Sequence, residues 1–468
     1  MYTFERNLAF MNPQYRVQNP VDNQVIETFD FATDQEIAQT LDRSAAAFSE
    51  WRKTTFAERA EIVSRAAEIL RERSDELSSI MAQEMGKQLP EGAWEVNFSA
   101  DILQFYADRA EKHSADVEIP GIQGGKAMVR RLPLGPLLGV MPWNFPMYQV
   151  ARFAGPNLMN GNTVILKHAE ICPKSSAAFE QILKDAGLPD GAFINVYATH
   201  DQISTIIEDP RVQGVSLTGS ERAGSAIASQ AGKNLKKCVL ELGGTDPYIV
   251  LDSSNVKEAA ANAWATRVMN SGQVCTGNKR IIVMADIYDE FIEELTNIAK
   301  SYSQGDPQNP GENQYFPLSS RDAGENLEKQ IDDAKSEGGV VHTGGNLLEG
   351  GAYFEPTVIT DIPVGSDPYY QEFFGPVAEV YKVHSDEEAI AVANNSLYGL
   401  GGSVFSHDEE RAKKVAAQVE TGMIHVNLGQ AFDPALPFGG VKRSGFGREL
   451  SVYALDEFVN KQTFYVND

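Results

Sequence analysis

Four short stretches of the sequence combine residue types that can do chemistry. In NSGQVCTGNKR, Cys275 stands among Ser271, Gly272, Thr276 and Gly277, small residues that leave a thiol open on a tight loop, as a nucleophile requires. The ordinary reading of a lone cysteine is a small buried hydrophobe, and that reading is kept for Cys172 and Cys238. VLELGG ends an apolar run on Glu241 with two glycines behind it, where backbone can approach a ligand and a carboxylate points into a crevice. A carboxylate there is costly unless it works or is paired; the plainer alternative is a glutamate ending a strand in solvent. MPWNFP sets Asn144 between Pro142 and Pro146, which stiffen the backbone and preorganise the amide as a donor, although the segment could be only a turn. VSLTGSERAG carries Gly219 and Gly224 around Ser220 at a strand-to-helix turn, a candidate phosphate site without the full G-x-G-x-x-G spacing.

The elements that must position these residues follow from periodicity. Residues 34–84 read as helices, with Thr33 or Asp34 capping the start and Gly86 ending the run. From residue 133 short apolar runs alternate with helical stretches: PLLGVMPW, NTVILK, a helix over 174–186, AFINVY, a helix after His200, VQGVSLTG, a helix through 221–231, and CVLELGG. That alternation predicts βαβ units and a parallel, doubly wound sheet with ligands at the strand ends. A second α/β series runs from about 245 to 440, with strands in YIVL, RIIVMA, VAEVYKV, GGSVFS and GMIHVN. Two isolated segments, 114–133 and 454–468, read as strands outside either sheet, and such appendages often serve subunit pairing.

At 468 residues the chain is long enough for two or three domains, and its 42% hydrophobic content excludes disorder as the main state. The net charge of −25 repels phosphate backbones and anionic lipid, so neither nucleic acid nor a membrane is an expected partner. Three scattered cysteines make neither a disulfide framework nor a zinc ribbon; no metal is expected, and a reducing compartment is. The first 20 residues show no basic region followed by an apolar stretch, and no run approaches the ~18–20 apolar residues of a membrane span, so a cytoplasmic location is expected.

Taken together, MPWNFP, ILKHAE, LTGSERAG, LELGG, GQVCTG, EFFGPV and LPFGGVKRSGFGRE occur in the order and approximate spacing of the aldehyde dehydrogenase superfamily, which the chain resembles from about residue 15 to 465. Within it, VMPWNFPMYQVARFAGPN, LKHAEICP, LELGGTDPYIVL and KRSGFGRELS are similar to the bacterial succinate-semialdehyde dehydrogenase branch. The resemblance implies an α/β fold with a Rossmann-type NAD(P)-binding domain (1–113 and 134–241), an α/β catalytic domain (242–453) and a small β oligomerisation arm (114–133 and 454–468) that would make a homodimer or homotetramer. It implies Cys275 as nucleophile, Glu241 as general base, Asn144 as oxyanion donor and Glu449 as a second glutamate in proton relay. Pro142 and Trp143 would lie beside the cofactor, Lys167 and Glu170 at the adenosine ribose, Gly219 and Ser220 near the pyrophosphate, and Glu372 and Phe374 at the nicotinamide riboside. Phe153 stands where many relatives carry a relay lysine, and Thr276 removes a neighbouring-cysteine switch.

Two finer expectations concern the ligands. Glu170, three residues after Lys167, would accept the ribose hydroxyls and repel a 2′-phosphate, so NAD is expected in preference to NADP. Arg152 is expected on a helix lining the aldehyde channel, where its guanidinium would pair with a substrate carboxylate such as that of succinic semialdehyde; the plainer alternative is an ion-paired structural residue. Phe145, Tyr148 and Phe432 could instead form an aromatic tunnel for a broader range of aldehydes. Retention of Glu241 favours release of a free acid over transfer to CoA, and the presence of nucleophile, base and donor disfavours a catalytically idle protein.

Overall fold

In a computed structural model, residues 14–467 are described, and two main sheets organise them. Residues 1–13, on which the expected absence of a targeting segment partly rests, lie outside the described residues. The first sheet runs Gly445–Phe446, Lys237–Glu241, Gly214–Thr218, Pro136–Met141, Thr163–His168, Phe193–Asn195, all parallel except the first strand. The chain leaves Pro136–Met141 toward one edge and then crosses back to Gly214–Thr218, so the strand order reverses between those two. Such a switch point opens a crevice at the carboxyl ends of the strands. Pro142, Gly219 and Glu241 lie at those ends. The strand Thr163–His168 is buried at every position, as expected for a parallel strand covered by helices on both faces.

The second sheet has the order Val340–Thr343, Thr357–Thr360, Val377–Val383, Arg280–Met284, Pro247–Val250, Ser403–Phe405, His425–Val426, with only the first strand antiparallel. The fold is thus α/β, as the resemblance implies. Segments 114–133 and 454–468 meet in a separate antiparallel sheet, where Val459–Asn467 pairs along Gly125–Pro133, which also pairs with Val117–Ile119. No helix among the described residues is long and apolar enough to cross a membrane.

The helices near the N-terminus begin at capping boxes, Thr33 with Glu36 and Thr55 with Glu58, each satisfying two end donors reciprocally. The helical region does not end at Gly86. That glycine closes Ser74–Met85 in the left-handed region (φ 78°), and a 26-residue helix, Leu89–Ser114, follows. Pro90 sits harmlessly in its first turn. Its contacts with Phe56–Glu72, Ser74–Met85 and the wholly buried helix Tyr148–Asn160 form the floor under the catalytic loops.

Candidate active site

Cys275 follows three consecutive left-handed residues, Asn270 (φ 50°), Ser271 (φ 54°) and Gly272 (φ 76°). Gly272 is required for contact: a Cβ there would lie 2.0 Å from the Gly375 carbonyl oxygen. Arg267 secures the junction by donating to the carbonyls of Gly272 (3.1 Å), Phe373 (2.7 Å), Gly375 (2.6 Å) and Val377 (2.6 Å). The loop bearing the cysteine and the EFFGPV segment are therefore one tied unit. Burial pushes the thiol up to about 11, against the pull of the nearby Lys279 and Arg152 charges.

Cys275 opens on a cleft of roughly 280 Å³ that also receives Pro142, Trp143, Asn144, Glu241, Glu372 and Phe374. Gly219 and Ser220 border it as well, with Ser220 capping the helix Glu221–Lys233. Trp143 and Phe374 meet edge to face across it, ring centroids 5.7 Å apart. Glu241 is 2% exposed, and neither carboxylate oxygen has a hydrogen-bond partner among the described residues. Burial and the neighbouring Glu449 raise its pKa well above the usual carboxylate range, with Arg152 opposing. A buried carboxyl without a partner, at the edge of a cleft that holds a thiol, is suited to accept a proton from a small molecule entering the cleft.

Asn144 is held from behind by residues the sequence reading did not single out. Its carbonyl accepts from Lys87 Nζ (2.8 Å) and Asn270 Nδ2 (2.9 Å), and its own Nδ2 donates to the Gln273 carbonyl (3.1 Å). Lys87 is ion-paired with Glu95, both fully buried, and Glu95 Oε1 accepts the Met147 (2.8 Å) and Tyr148 (3.1 Å) N–H groups that begin the helix Tyr148–Asn160. The preorganisation assigned to Pro142 and Pro146 is thus reinforced by a buried ion pair on the unforeseen helix Leu89–Ser114. Lys279 is the other unforeseen group. It is fully buried four residues beyond Cys275.

Arg152 requires a correction. It is fully buried, ion-paired with Glu449, and donates to Tyr148 Oη (3.2 Å) and Thr218 Oγ1 (3.2 Å). Its guanidinium lies behind the aromatic wall, 4.2 Å from the Phe438 ring centroid and 4.9 Å from that of Tyr148, and is not among the groups lining the cavity those rings face. Glu449, which also accepts from Ser216 Oγ (3.1 Å), is committed to that pair.

A second cavity of about 260 Å³ lies on the other side of the cysteine loop, walled by Phe98, Tyr148, Phe432 and Phe438, with Thr276 and Gln430 among its polar groups, which also include Asp246, Asn278, Ser403, His425 and Asp433. Trp94 stacks on Phe98 (5.4 Å) and meets Phe432 edge to face (4.8 Å). Phe145 is not part of this lining; it packs behind, under Lys87 Nζ (3.8 Å) and against Tyr148. No lysine or arginine side chain lines the cavity.

At the far end of the first sheet, Lys167 Nζ lies 2.6 Å from Glu170 Oε1, and His200 Nε2 lies 3.9 Å from the same oxygen. Burial works to raise the Glu170 carboxyl, but Lys167 outweighs it and holds the group below its usual value. Glu170 is therefore a compensated charge, not a free anion facing the ribose.

Fold and cleft together define an α/β oxidoreductase. The chain belongs to the aldehyde dehydrogenase family, whose model matches residues 10–464. It is 47% identical to the succinate-semialdehyde dehydrogenase [NADP(+)] of Deinococcus radiodurans, over 95% of this chain and 93% of that one. It is 40% identical to the probable succinate-semialdehyde dehydrogenase [NADP(+)] of Synechocystis, over 96% and 98%. The crystal structure of a succinic semialdehyde dehydrogenase from Streptococcus pyogenes in complex with NADP+ superimposes with a TM-score of 0.94 at 44% identity, covering 97% of this chain and all of that one. These relatives overturn the expectation that NAD is preferred. The expectation let the repulsion of a 2′-phosphate by Glu170 outweigh the opposing pull of Lys167, and in the structure Lys167 compensates that charge.

Proposed function

We propose that the protein oxidises succinic semialdehyde to succinate with NADP+, through a covalent adduct on Cys275. The observation that carries the reading is the position of Cys275, whose thiol shares one cleft with Asn144 and Glu241 while its neighbour Thr276 lines the aromatic cavity. The relatives named above support the substrate and the cofactor. The cleft suits a dinucleotide: Glu241 has two unpartnered oxygens, Ser220 heads a helix, and a Cβ on Gly243 would lie 2.1 Å from Glu372 Oε2, so the backbone is close where a ligand must pass.

Trp143, Phe374 and Glu372 would hold the nicotinamide riboside end, and Lys167 the adenosine end. When bound, the cofactor supplies a hydride acceptor. A planar aldehyde carbon cannot lose hydride without forming an acylium ion, so the Cys275 thiolate first adds to it and makes it tetrahedral. The Asn144 amide holds the oxyanion, a contact typically worth ~2.7–4 kcal/mol in the transition state. Loss of hydride leaves a thioester on Cys275. Glu241 takes a proton from water, which attacks the thioester, and the acid leaves with the thiolate restored. Gln430, Thr276, Asn278, Ser403 and His425 line the aromatic cavity and carry donors for a substrate carboxylate. The arm of segments 114–133 and 454–468 would join subunits into a homodimer or homotetramer. The test is the rate of NADPH formation with succinic semialdehyde against butanal, which has the same length without the carboxylate. No preference for the acid would overturn the substrate and favour the aromatic cavity as a site for apolar aldehydes.

A further inference from the structure

Lys279 touches both walls of the cleft. Its ammonium donates to the carbonyls of Val274 (2.8 Å) and Cys275 (2.7 Å) and lies 2.8 Å from Glu372 Oε1. Three partners use the three donors of an ammonium, and the side chain has no exposed surface. Glu372 is different: it is partly exposed, lines the cleft, and receives one further hydrogen bond, from the Gly244 N–H (3.2 Å). One buried cation is thus shared by the main chain of the cysteine and by a partly exposed carboxylate at the cleft surface.

We propose that Lys279 is a positioning residue that links occupation of the dinucleotide cleft to the reactivity of Cys275: Glu372 neutralises it in the free protein, and once Glu372 turns to the ribose hydroxyls the uncompensated ammonium holds the neighbouring thiol as thiolate. This rests on the reading of Cys275 as nucleophile and Glu372 as a ribose ligand.

The charges around the thiol single out this pair. Lys279 and Arg152 favour the thiolate, and Glu372 and Asp246 oppose it. Tyr148, from the helix beneath, also faces it, and Glu241 borders the same cleft. Arg152 is permanently paired with Glu449, so its influence is constant. Burial pushes Asp246 up to about 7 against the pull of Lys279, and Asp246 lines the aldehyde cavity, away from the cofactor. Among the described residues, Glu372 alone both pairs with Lys279 and lines the dinucleotide cleft. A tenfold change in thiolate fraction at neutral pH corresponds to about one pKa unit, the order expected when one counter-charge is withdrawn from a nearby buried cation.

The experiment follows alkylation of Cys275 by iodoacetamide as a function of pH, read by mass spectrometry of its peptide, with and without saturating NADP+. Binding is checked separately by equilibrium dialysis. In the wild type NADP+ should lower the alkylation midpoint by about one unit and speed the reaction about tenfold at pH 7. Lys279→Met should raise the midpoint and abolish the shift, whereas Lys279→Arg should keep it. Glu372→Gln should show the low midpoint already without NADP+, and this variant decides the matter if Lys279→Met does not fold. A full shift in NADP+-bound Lys279→Met, a wild-type shift in Glu372→Gln, or no shift in the wild type overturns the proposal. None of these results touches the assignment of Cys275 as nucleophile, which fails only if Cys275→Ala turns over aldehyde.

Discussion

The cleft on one side of Cys275 is walled by residues that stand at strand ends or in short turns, whereas the cavity on the other side is assembled from a distant helix and two late loops. Pro142, Gly219 and Glu241 each end a strand of the first sheet, so their placement follows from local pattern and topology together. Phe98, Phe432 and Phe438 meet only because the helix Leu89–Ser114 packs under the loop after His425–Val426. On the proposed reading, chemistry is therefore tied to sheet ends, and substrate selection to packing between distant parts of the chain.

Substitutions on the two sides should separate accordingly. Cys275→Ala should lower turnover of every aldehyde at least about 10⁴-fold while NADP+ affinity, measured by titration, stays within about twofold. Measurable turnover in that variant would break the division at its centre. Arg152→Met strands Glu449 in the interior and should cost about 3–5 kcal/mol of stability in denaturant unfolding. It should leave the preference for succinic semialdehyde over butanal intact; loss of that preference without loss of stability would return Arg152 to the substrate side. Asn144→Ala should reduce kcat about 10²–10³-fold with KM little changed, a split that steady-state kinetics reads directly. On the cavity side, Gln430→Ala should raise KM for succinic semialdehyde by a factor of about 3–10 and leave butanal unaffected, the loss of roughly one hydrogen bond.

The smallest effect is on stability against pH. Burial raises the Glu241 pKa in the folded protein. The unfolded chain ionises first, so the stability contributed by neutral Glu241 is complete below the ordinary glutamate value and is lost as pH rises through the raised one. Glu241→Gln removes that loss. Its melting temperature should match the wild type near pH 4 and exceed it by a few degrees in alkaline buffer; the opposite trend would mean that Glu241 is paired in the native state.

How far the sequence revealed this division depends on the distance over which each feature is determined. The strands around Glu241 and Lys167 were legible because a parallel strand buried on both faces is a continuous apolar run. The helix Leu89–Ser114 was not: Pro90 and Gly92 look like breakers, and Gln88 at its start makes no side-chain cap. Cys275, Glu241 and Asn144 are brought to one cleft, as their motifs suggested, but the Lys87–Glu95 pair behind Asn144 carries no local signature. For Arg152 the sequence left the substrate-pairing and ion-paired readings side by side, because its partner, Glu449, lies far along the chain. For Glu170 the opposing Lys167 was visible three residues away, but spacing alone does not show that the two side chains meet as an ion pair.

The four tryptophans of the chain give the molecule an optical property. Trp51 and Trp264 are fully enclosed, at 2% and 1% exposure. Trp143 stands in the cofactor cleft, and Trp94 leans on the rings that line the aldehyde cavity. If the cleft takes the cofactor and the cavity the aldehyde, as proposed above, ligand contact is confined to the second pair. Trp94→Phe should then leave an emission change on cofactor binding alone, and Trp143→Phe one on aldehyde binding alone, without any attached dye.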